Sequence, residues 1–349
     1  MARVWIDLAN SPHVLFFAPI VGALRDAGHE VTITGRDFAQ TLPLCETFGL
    51  DVTAVGRHGG TNRALKVANL AGRAAQLGRF GAGRGFDVAV SHNSYAHVVA
   101  ARGLRIPTAT LMDYEFQPAN HLAFRLANLV MVPSAFFKSA LRRCGASPGR
   151  TFRYEGLKEE VVLDGFTPDP AFRRGLGEVF ERGGVDFDAD AHVLVTVRPA
   201  ATMAAYHRFE NPLFDRLLRR LGAPRVRGLL LPRTNEQRMQ LGSRLPPGFV
   251  MPERSVDGRE LVAASDVVIS AGGSMIREAA VVGTPAFSIY AGRIGGVDEQ
   301  LIRSGRMHRI ATDADIEGMM LERRATPAVE VRSPLRGIIV ERILGLAAC

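Results

Sequence analysis

Short apolar runs rich in β-branched residues alternate with longer, helix-like segments through the first half of the chain. The runs VWIDL, EVTIT, DVTAV, FDVAV, PTATL and LVMVP are each bounded by turn residues. The segment from Val14 to Ala27 is apolar on most faces, as in a helix packed on a sheet, and Gly28 suits its C-terminal cap. Strands that recur with intervening helices form βαβ units, so this pattern predicts a parallel sheet.

A second α/β series follows a stretch of weaker pattern between Asp164 and Asp190, which has the composition of a connection. Its runs are HVLVTV, RGLLLP, GFVMP, DVVIS, PAFSI and MHRIA. We therefore predict two doubly wound, Rossmann-like α/β domains at residues 1–165 and 191–332, joined by a linker at 166–190. The sequence of residues 333–349 predicts a terminal helix, and one place for this helix is against the first domain. Ligands of such sheets bind at the carboxyl ends of the strands, so we expect the two domains to face each other across a cleft.

Composition agrees with an ordinary globular protein of two cores. The chain has 349 residues, of which 47% are hydrophobic and 22% charged. The three cysteines form no C-x-x-C pair, so we expect a reducing compartment without a disulfide framework or zinc site. The chain starts with a strand-like run rather than a signal peptide, and VLFFAPIVGAL is too short to span a bilayer, so a cytoplasmic location is expected.

The formal net charge of +8 favours anionic partners. The low-acid segment between Arg57 and Arg84 suits an anionic or lipid-linked acceptor or the inner membrane surface, as a peripheral contact; a solvated basic face is the alternative. Zinc-finger spacing and an aromatic-rich RNA-binding motif are both absent from the sequence, so nucleic acid is not an expected partner.

The run DVVISAGGSMIREAAVVGTP carries the clearest candidate chemistry. A buried strand ends at Gly272 and Gly273, and a helix is predicted to open near Ser274. Free N–H groups and the partial positive charge of a first helical turn favour a phosphate there. Glu278 lies four residues further on the same helix face, about 6 Å along the axis, where its carboxylate can accept from ribose hydroxyls.

The segment AGGSMIREAAVVGTP resembles the C-terminal signature of GT-B-fold proteins, notably the UDP-GlcNAc 2-epimerases and the MurG-type UDP-GlcNAc transferases. In both, the loop glycines hold the diphosphate and the Glu holds the ribose. The resemblance gives these roles to Gly272, Gly273, Ser274 and Glu278. Over the whole chain, the sequence looks most like an uncharacterised bacterial and archaeal family with this fold.

The N-terminal run SPHVLFFAPIVGALRDAGHEVTITG is similar to the opening of many GT-B transferases. By that resemblance His13 is a candidate base for the acceptor hydroxyl, and Asn10 lies in the same loop as a candidate contact. A structural role for His13, as a cap of a helix starting at Val14, is equally open. Asp7 either orients His13 or bonds loop amides, and we favour the second.

Further candidate contacts end other predicted strands. Arg198 suits bidentate phosphate binding, with a surface ion pair as the alternative. Arg233, Thr234 and Asn235 end another strand, and one of them is expected to meet the uracil or the phosphate. By resemblance to the MurG-type loop, Glu299 and Gln300 contact donor-sugar hydroxyls, while Asp298 suits a helix N-cap. Asp113 and Glu115, in LMDYEFQPAN, are candidate acid–base residues.

The resemblance implies a metal-independent, GT-B-type glycosyltransferase that binds a UDP-sugar in the second domain and an acceptor in the first. No bound metal or cofactor is expected, because helix dipoles and basic side chains stabilise the departing diphosphate in such enzymes. A UDP-sugar 2-epimerase and a non-catalytic nucleotide-sugar-binding protein are the alternatives. Ser94 and Val197 stand where the epimerases carry an Asp and a catalytic His, and these departures count against epimerase chemistry.

Overall fold

The computed structural model describes residues 1–38, 40–57, 63–200, 212–325 and 330–348, with backbone alone for residues 57, 63–68 and 212. The chain divides into two compact units. The first comprises Met1–Val162, Gly295–Val297 and Ser333–Cys349; the second comprises Leu163–Ile294 and Asp298–Arg332. None of the described helices is both long and apolar enough to cross a membrane.

The first unit is built on a seven-stranded parallel sheet in the order β3-β2-β1-β4-β5-β6-β7. The strands are β1 (Arg3–Leu8), β2 (Glu30–Asp37), β3 (Val52–Arg57), β4 (Val88–His92), β5 (Thr108–Leu111), β6 (Leu129–Pro133) and β7 (Thr151–Tyr154). The helices are α1 (Ser11–Asp26), α2 (Thr41–Thr47), α3 (Arg63–Gly81), α4 (Tyr95–Gly103), α5 (Asn120–Leu126), α6 (Lys138–Cys144), α7 (Lys158–Leu163) and the terminal α16 (Leu335–Ala347).

The second unit is built on a six-stranded parallel sheet in the order β10-β9-β8-β11-β12-β13. The strands are β8 (Val193–Arg198), β9 (Val226–Leu230), β10 (Phe249–Val250), β11 (Val267–Ser270), β12 (Ala286–Ser288) and β13 (His308–Arg309). The helices are α8 (Phe172–Gly175), α9 (Gly177–Arg182), α10 (Pro212–Leu221), α11 (Asn235–Gly242), α12 (Gly258–Ala264), α13 (Ser274–Val282), α14 (Gly296–Arg303) and α15 (Asp313–Glu317). The first two residues of α14, Gly296 and Val297, belong to the first unit. The predicted fold class, two doubly wound parallel sheets, is confirmed.

Both sheets are filled by the apolar runs seen in the sequence. In β1 the side chains from Val4 to Leu8 are fully buried on both faces, as is usual in a parallel sheet covered by helices. Helix α1 covers this sheet with one apolar face, and Pro12 is tolerated in its first turn because the N–H groups there have no intrahelical partner. The helix begins at Ser11, three residues before the predicted start, and Gly28 follows it with φ +80°.

Helix α16 belongs to the core of the first unit. Its Leu335, Ile339 and Ile343 are buried in the same apolar cluster as residues of α1 and β4. The C-terminal segment therefore covers part of the first sheet.

Each sheet reverses its strand order at one point, and that point places the candidate sites. In the first unit the reversal lies between β1 and β4, where Asp7 is in register with Ser91. In the second it lies between β8 and β11, where Arg198 is in register with Ser270. Loops leaving two such strands diverge to opposite faces and open a crevice at the carboxyl edge.

Candidate functional site

The turn after β11 lies at the crevice of the second unit. Gly272 and Gly273 have φ values of +91° and +99°, a region that side-chain-bearing residues rarely adopt. Gly273 is the N-cap of α13, so the first backbone N–H groups of the helix point out of the turn. Ser274 is the first residue of α13 and is half-buried.

Two arginines converge on this turn from β8 and β9. Arg233 Nη2 lies 3.5 Å from the place where a Cβ of Gly273 would be, and Arg233 Nε donates to the Pro199 carbonyl at 3.3 Å. Burial lowers the pKa of Arg198, against the charge of Glu278, which raises it. Desolvation, followed by the charge of Arg198, lowers the pKa of Arg233 to about 10. More than a third of Arg233 is nevertheless solvent-accessible, so desolvation is partial and the guanidinium stays cationic at neutral pH.

Glu278 lies on the second turn of α13 and is only 7% exposed. Its charge acts on Arg198, so one carboxylate accompanies the two guanidinium groups. The predicted residues Gly272, Gly273, Ser274, Arg198 and Arg233 are thus grouped at one edge of the second sheet, with Glu278 beside them.

The residues predicted to bind a donor sugar lie in α14. Glu299 is half-buried and Gln300 exposed. The N-cap expected of Asp298 is wrong, because α14 already begins at Gly296 and Asp298 falls within its first turn. Its carboxylate instead accepts a hydrogen bond from Arg277 Nε at 2.7 Å.

In the first unit, titratable side chains gather around Asp113, which follows β5. Lys158 Nζ lies 2.7 Å from Asp113 Oδ2, and His92 Nε2 lies 3.5 Å from Asp113 Oδ1. The ring centroid of His13 is 5.1 Å from that of His92. Neither His92 nor Lys158 was assigned a role from the sequence. His92 ends β4 in the run SHNSYAH, which was expected at a cleft-side strand end, whereas Lys158 follows β7, an edge strand whose TFRY pattern gave no signal.

His13 lies in the first turn of α1, where its Nδ1 accepts a hydrogen bond from the Ala9 N–H at 3.3 Å. Although part of the residue reaches solvent, desolvation lowers its pKa well below the usual value, and His92 and Lys158 lower it further against Asp7 and Asp113. Asn10 is the N-cap residue by position, and its exposed side chain makes no capping bond.

Asp7 does not bond loop amides as expected. It accepts two hydrogen bonds from the Arg73 guanidinium, at 2.8 and 2.9 Å, one from Thr34 Oγ1 at 2.7 Å and a short one from Ser94 Oγ. Burial alone would raise the pKa of Asp7, but the charges of Arg73 and His97 and these hydrogen bonds hold it below the usual value. Arg73, which the sequence placed in a basic segment, is buried, and Ser94 is occupied with this pair.

Glu115 is almost fully buried and binds backbone. Its Oε1 accepts from the Phe137 N–H at 3.0 Å and the Gly296 N–H at 3.1 Å. A side chain at Gly296 would collide with the Ala135 carbonyl, so Gly is needed at this close approach. These contacts indicate that Glu115, one of the predicted acid–base residues, holds two backbone segments together.

Comparison with known proteins shows the family. A family model described as "Protein of unknown function (DUF354)" matches residues 2–344, and the chain belongs to this family. A relative from Methanocaldococcus jannaschii, the uncharacterized protein MJ0665, is 27% identical over 310 residues, covering 87% of this chain and 86% of that protein. The expected resemblance to an uncharacterised GT-B-fold family is confirmed.

Solved structures share the fold at low sequence identity. One is the M. jannaschii UDP-GlcNAc 2-epimerase in complex with UDP-GlcNAc and UDP, with a TM-score of 0.67 and 12% identity; the match covers 98% of this chain and 99% of that one. Another is the spinosyn rhamnosyltransferase SpnG, with a TM-score of 0.59, 16% identity and coverage of 100% and 93%. The fold is therefore that of GT-B glycosyltransferases and UDP-GlcNAc 2-epimerases.

Proposed function

We propose that this protein binds a UDP-sugar through its second unit and transfers the sugar to an acceptor bound by its first unit. The observation that carries the proposal is the convergence of Arg198 and Arg233 on the glycine turn that opens α13. Two neighbouring guanidinium groups repel each other, so their approach favours an anion between them. A diphosphate matches this charge and also accepts from the N-terminal amides of the helix.

The position of Glu278 supports a nucleoside diphosphate over an inorganic anion. A carboxylate near a phosphate site repels the phosphate unless it binds a hydroxyl-bearing part of the same ligand. Glu278 lies one helical turn beyond Ser274, about 6 Å along the axis, which matches the distance from a phosphate to a ribose. The M. jannaschii epimerase, which has this fold, is solved with UDP and UDP-GlcNAc.

The polar groups of the first unit support an acceptor site with proton transfer. Asp113, His92, Lys158 and His13 lie together, and they include both acidic and basic groups. His92 ends β4, and the other three follow β5, β7 and β1 in that order. The net charge of +8 favours an acceptor that is anionic or lipid-linked, with a peripheral membrane contact as one consequence. Glu299 and Gln300 remain our candidates for the donor sugar.

A UDP-sugar 2-epimerase is the second candidate, because several neighbours of this fold carry that activity in their names. Two features of this chain count against it. Val197 is fully buried within β8 and cannot exchange a proton, and Ser94 is bonded to the Asp7–Arg73 pair. Both positions hold acid–base residues in the epimerases that the sequence resembles.

Binding and reaction class are tested in one experiment. The full chain is incubated with UDP or UDP-GlcNAc, and its melting temperature and the soluble products are measured. A raised melting temperature with both ligands is expected, because a ligand bound to the native state stabilises it. Free UDP together with released sugar that keeps its C2 configuration supports the transferase, through abortive transfer to water. A UDP-sugar inverted at C2 supports the epimerase, binding without turnover supports a binding protein, and no thermal shift contradicts the whole proposal.

A further inference from the structure

The charged cluster at the carboxyl edge of the first sheet is costly to keep. The side chains of His92, Asp113 and Lys158 are only 7%, 9% and 15% exposed. Burying ionisable groups costs several kcal/mol per ion before pairing offsets it, so apolar residues would often be as stable there. The cluster lies where a doubly wound sheet binds its ligand, which points to a role in ligand binding or catalysis rather than in stability.

His13 is poorly suited to be the base of this cluster. Because the Ala9 N–H donates to Nδ1, the neutral ring carries its proton on Nε2. The Nε2 atom then donates a hydrogen bond and cannot accept a proton. A ligand oxygen facing His13 would therefore receive a hydrogen bond from it.

His92 has the opposite arrangement. Its Nε2 faces the Asp113 carboxylate at 3.5 Å, and catalytic hydrogen bonds are often this long before a ligand binds. Lys158, at 2.7 Å from the other oxygen, favours the ionised carboxylate. A carboxylate at Nε2 holds the ring proton there, which leaves Nδ1 as the nitrogen able to take up a proton. The two nitrogens are exchanged relative to the His–Asp pair of a serine hydrolase, in which the carboxylate holds Nδ1–H.

We propose that His92, positioned by Asp113 and Lys158, is the proton-transfer residue of the first unit, and that His13 donates a hydrogen bond to the same hydroxyl-bearing ligand. The acceptor's O–H bond breaks, its electron pair stays on oxygen, and the proton forms a bond with Nδ1 of His92. Asp113 and Lys158 are then positioning residues. The inference deepens the proposed transferase function and rests on it.

Nitrogen NMR of the full chain labelled with ¹⁵N-histidine tests the geometry without any substrate. Histidines are assigned with His13→Gln and His92→Gln. We expect His13 to carry its proton on Nε2, as does His29, the matched control whose Nδ1 accepts from the Ala2 N–H at 3.0 Å. Removing the facing carboxylate with Asp113→Asn should lower the pKa of His92, and removing the cation with Lys158→Met should raise it.

Opposite shifts of this kind cannot come from a general loss of folding. A proton on Nδ1 of His13, or a His92 pKa that ignores both substitutions, overturns the inference.

The catalytic role is tested by UDP release from UDP-GlcNAc with water as the acceptor. His92→Gln should lower kcat roughly 10²–10⁴-fold with unchanged UDP affinity. His13→Gln should lower kcat but keep the pH at which activity is half lost on acidification, whereas Lys158→Met should move that pH upward. The proposal is contradicted if His92→Gln turns over like the wild type. It is also contradicted if the fall in activity at low pH disappears in His13→Gln. Failure of the wild type to bind UDP refutes the proposed function instead, and the NMR result then reports only which ring nitrogen of each histidine carries the proton.

Discussion

At the scale of single residues, Glu278 separates two accounts of the second unit. Its carboxylate either accepts from ribose hydroxyls or serves only to hold Arg198, on which its charge acts. The first account predicts that Glu278→Ala costs on the order of 1.5–3 kcal/mol of UDP binding, typical of a hydrogen bond to a charged group, and leaves pyrophosphate affinity unchanged. Calorimetry with both ligands measures this, with exposed Glu236→Ala as the control. Equal losses for UDP and pyrophosphate would assign Glu278 to Arg198 alone.

His97 should make the stability of the first unit depend on pH. It is fully buried with its ring edge-on to Trp5, and burial lowers its pKa to about 4, with Asp7 raising and Arg73 lowering it. An unfolded histidine titrates near 6.5, so between pH 6.5 and 4 only the unfolded state takes up the proton. The free energy of unfolding should therefore fall on acidification, by about 3 kcal/mol from this residue.

Denaturant unfolding of His97→Gln at several pH values checks the contribution. In this variant the free energy of unfolding should depend much less on pH between 6.5 and 4. The substitution His121→Gln, at an exposed histidine, should leave that dependence unchanged. An unaltered slope in His97→Gln would show that other groups cause the acid sensitivity. Any pH dependence of the free energy of unfolding that remains in His97→Gln is expected from His13, whose pKa is also lowered by burial.

At the scale of elements, the two ends of α13 offer a matched pair of glycines. Gly273 caps the N-terminus with φ +99°, and Gly283 caps the C-terminus with φ +83°. Alanine at either position is strained, at a cost of about 1–3 kcal/mol of stability. Only Gly273→Ala should also weaken UDP binding, at least tenfold, because in the proposed complex the amides of this turn bind the phosphates. Equal UDP affinity in Gly273→Ala and Gly283→Ala, measured by titration, would remove this turn from the binding site.

The elements themselves were largely predictable, since every predicted strand is present. Parallel strands buried on both faces leave continuous apolar runs, and helices that cover them leave an apolar stripe. The missed strand β7 is an edge strand in which only Tyr154 is buried, so it has little hydrophobic signal. The start of α1 was misplaced because Pro12 obscured a first turn that needs no intrahelical N–H bond.

The sites were predictable only where they are local. Gly272, Gly273 and Ser274 adjoin in sequence, and their turn geometry follows from residue type. The Asp7–Arg73 pair joins residues 66 positions apart, so nothing in the sequence indicated it. The positive charge of the segment around Arg73 suggested a solvent-exposed surface instead. The partners of Asp113 come from three different strand ends, and that convergence depends on strand order, which periodicity does not encode.

At the scale of the whole molecule, one chain carries two sheets of the same design. Each reverses its strand order beside its first strand, and each places polar side chains at that reversal. The first collects a mixed set of acids, a lysine and histidines; the second collects arginines around a helix N-terminus. This difference in charge assigns proton transfer to one unit and diphosphate binding to the other in our account.

Calorimetric titration of UDP tests that assignment most directly. The wild type should bind UDP, and Arg233→Ala should lose about 1.5–3 kcal/mol, or roughly 10–150-fold in affinity, through the loss of a charge-assisted contact. Arg220→Ala, an exposed arginine on α10 of the same unit, removes the same charge and should bind as the wild type does. Absence of binding in the wild type, or equal affinity in Arg233→Ala and Arg220→Ala, would contradict the account.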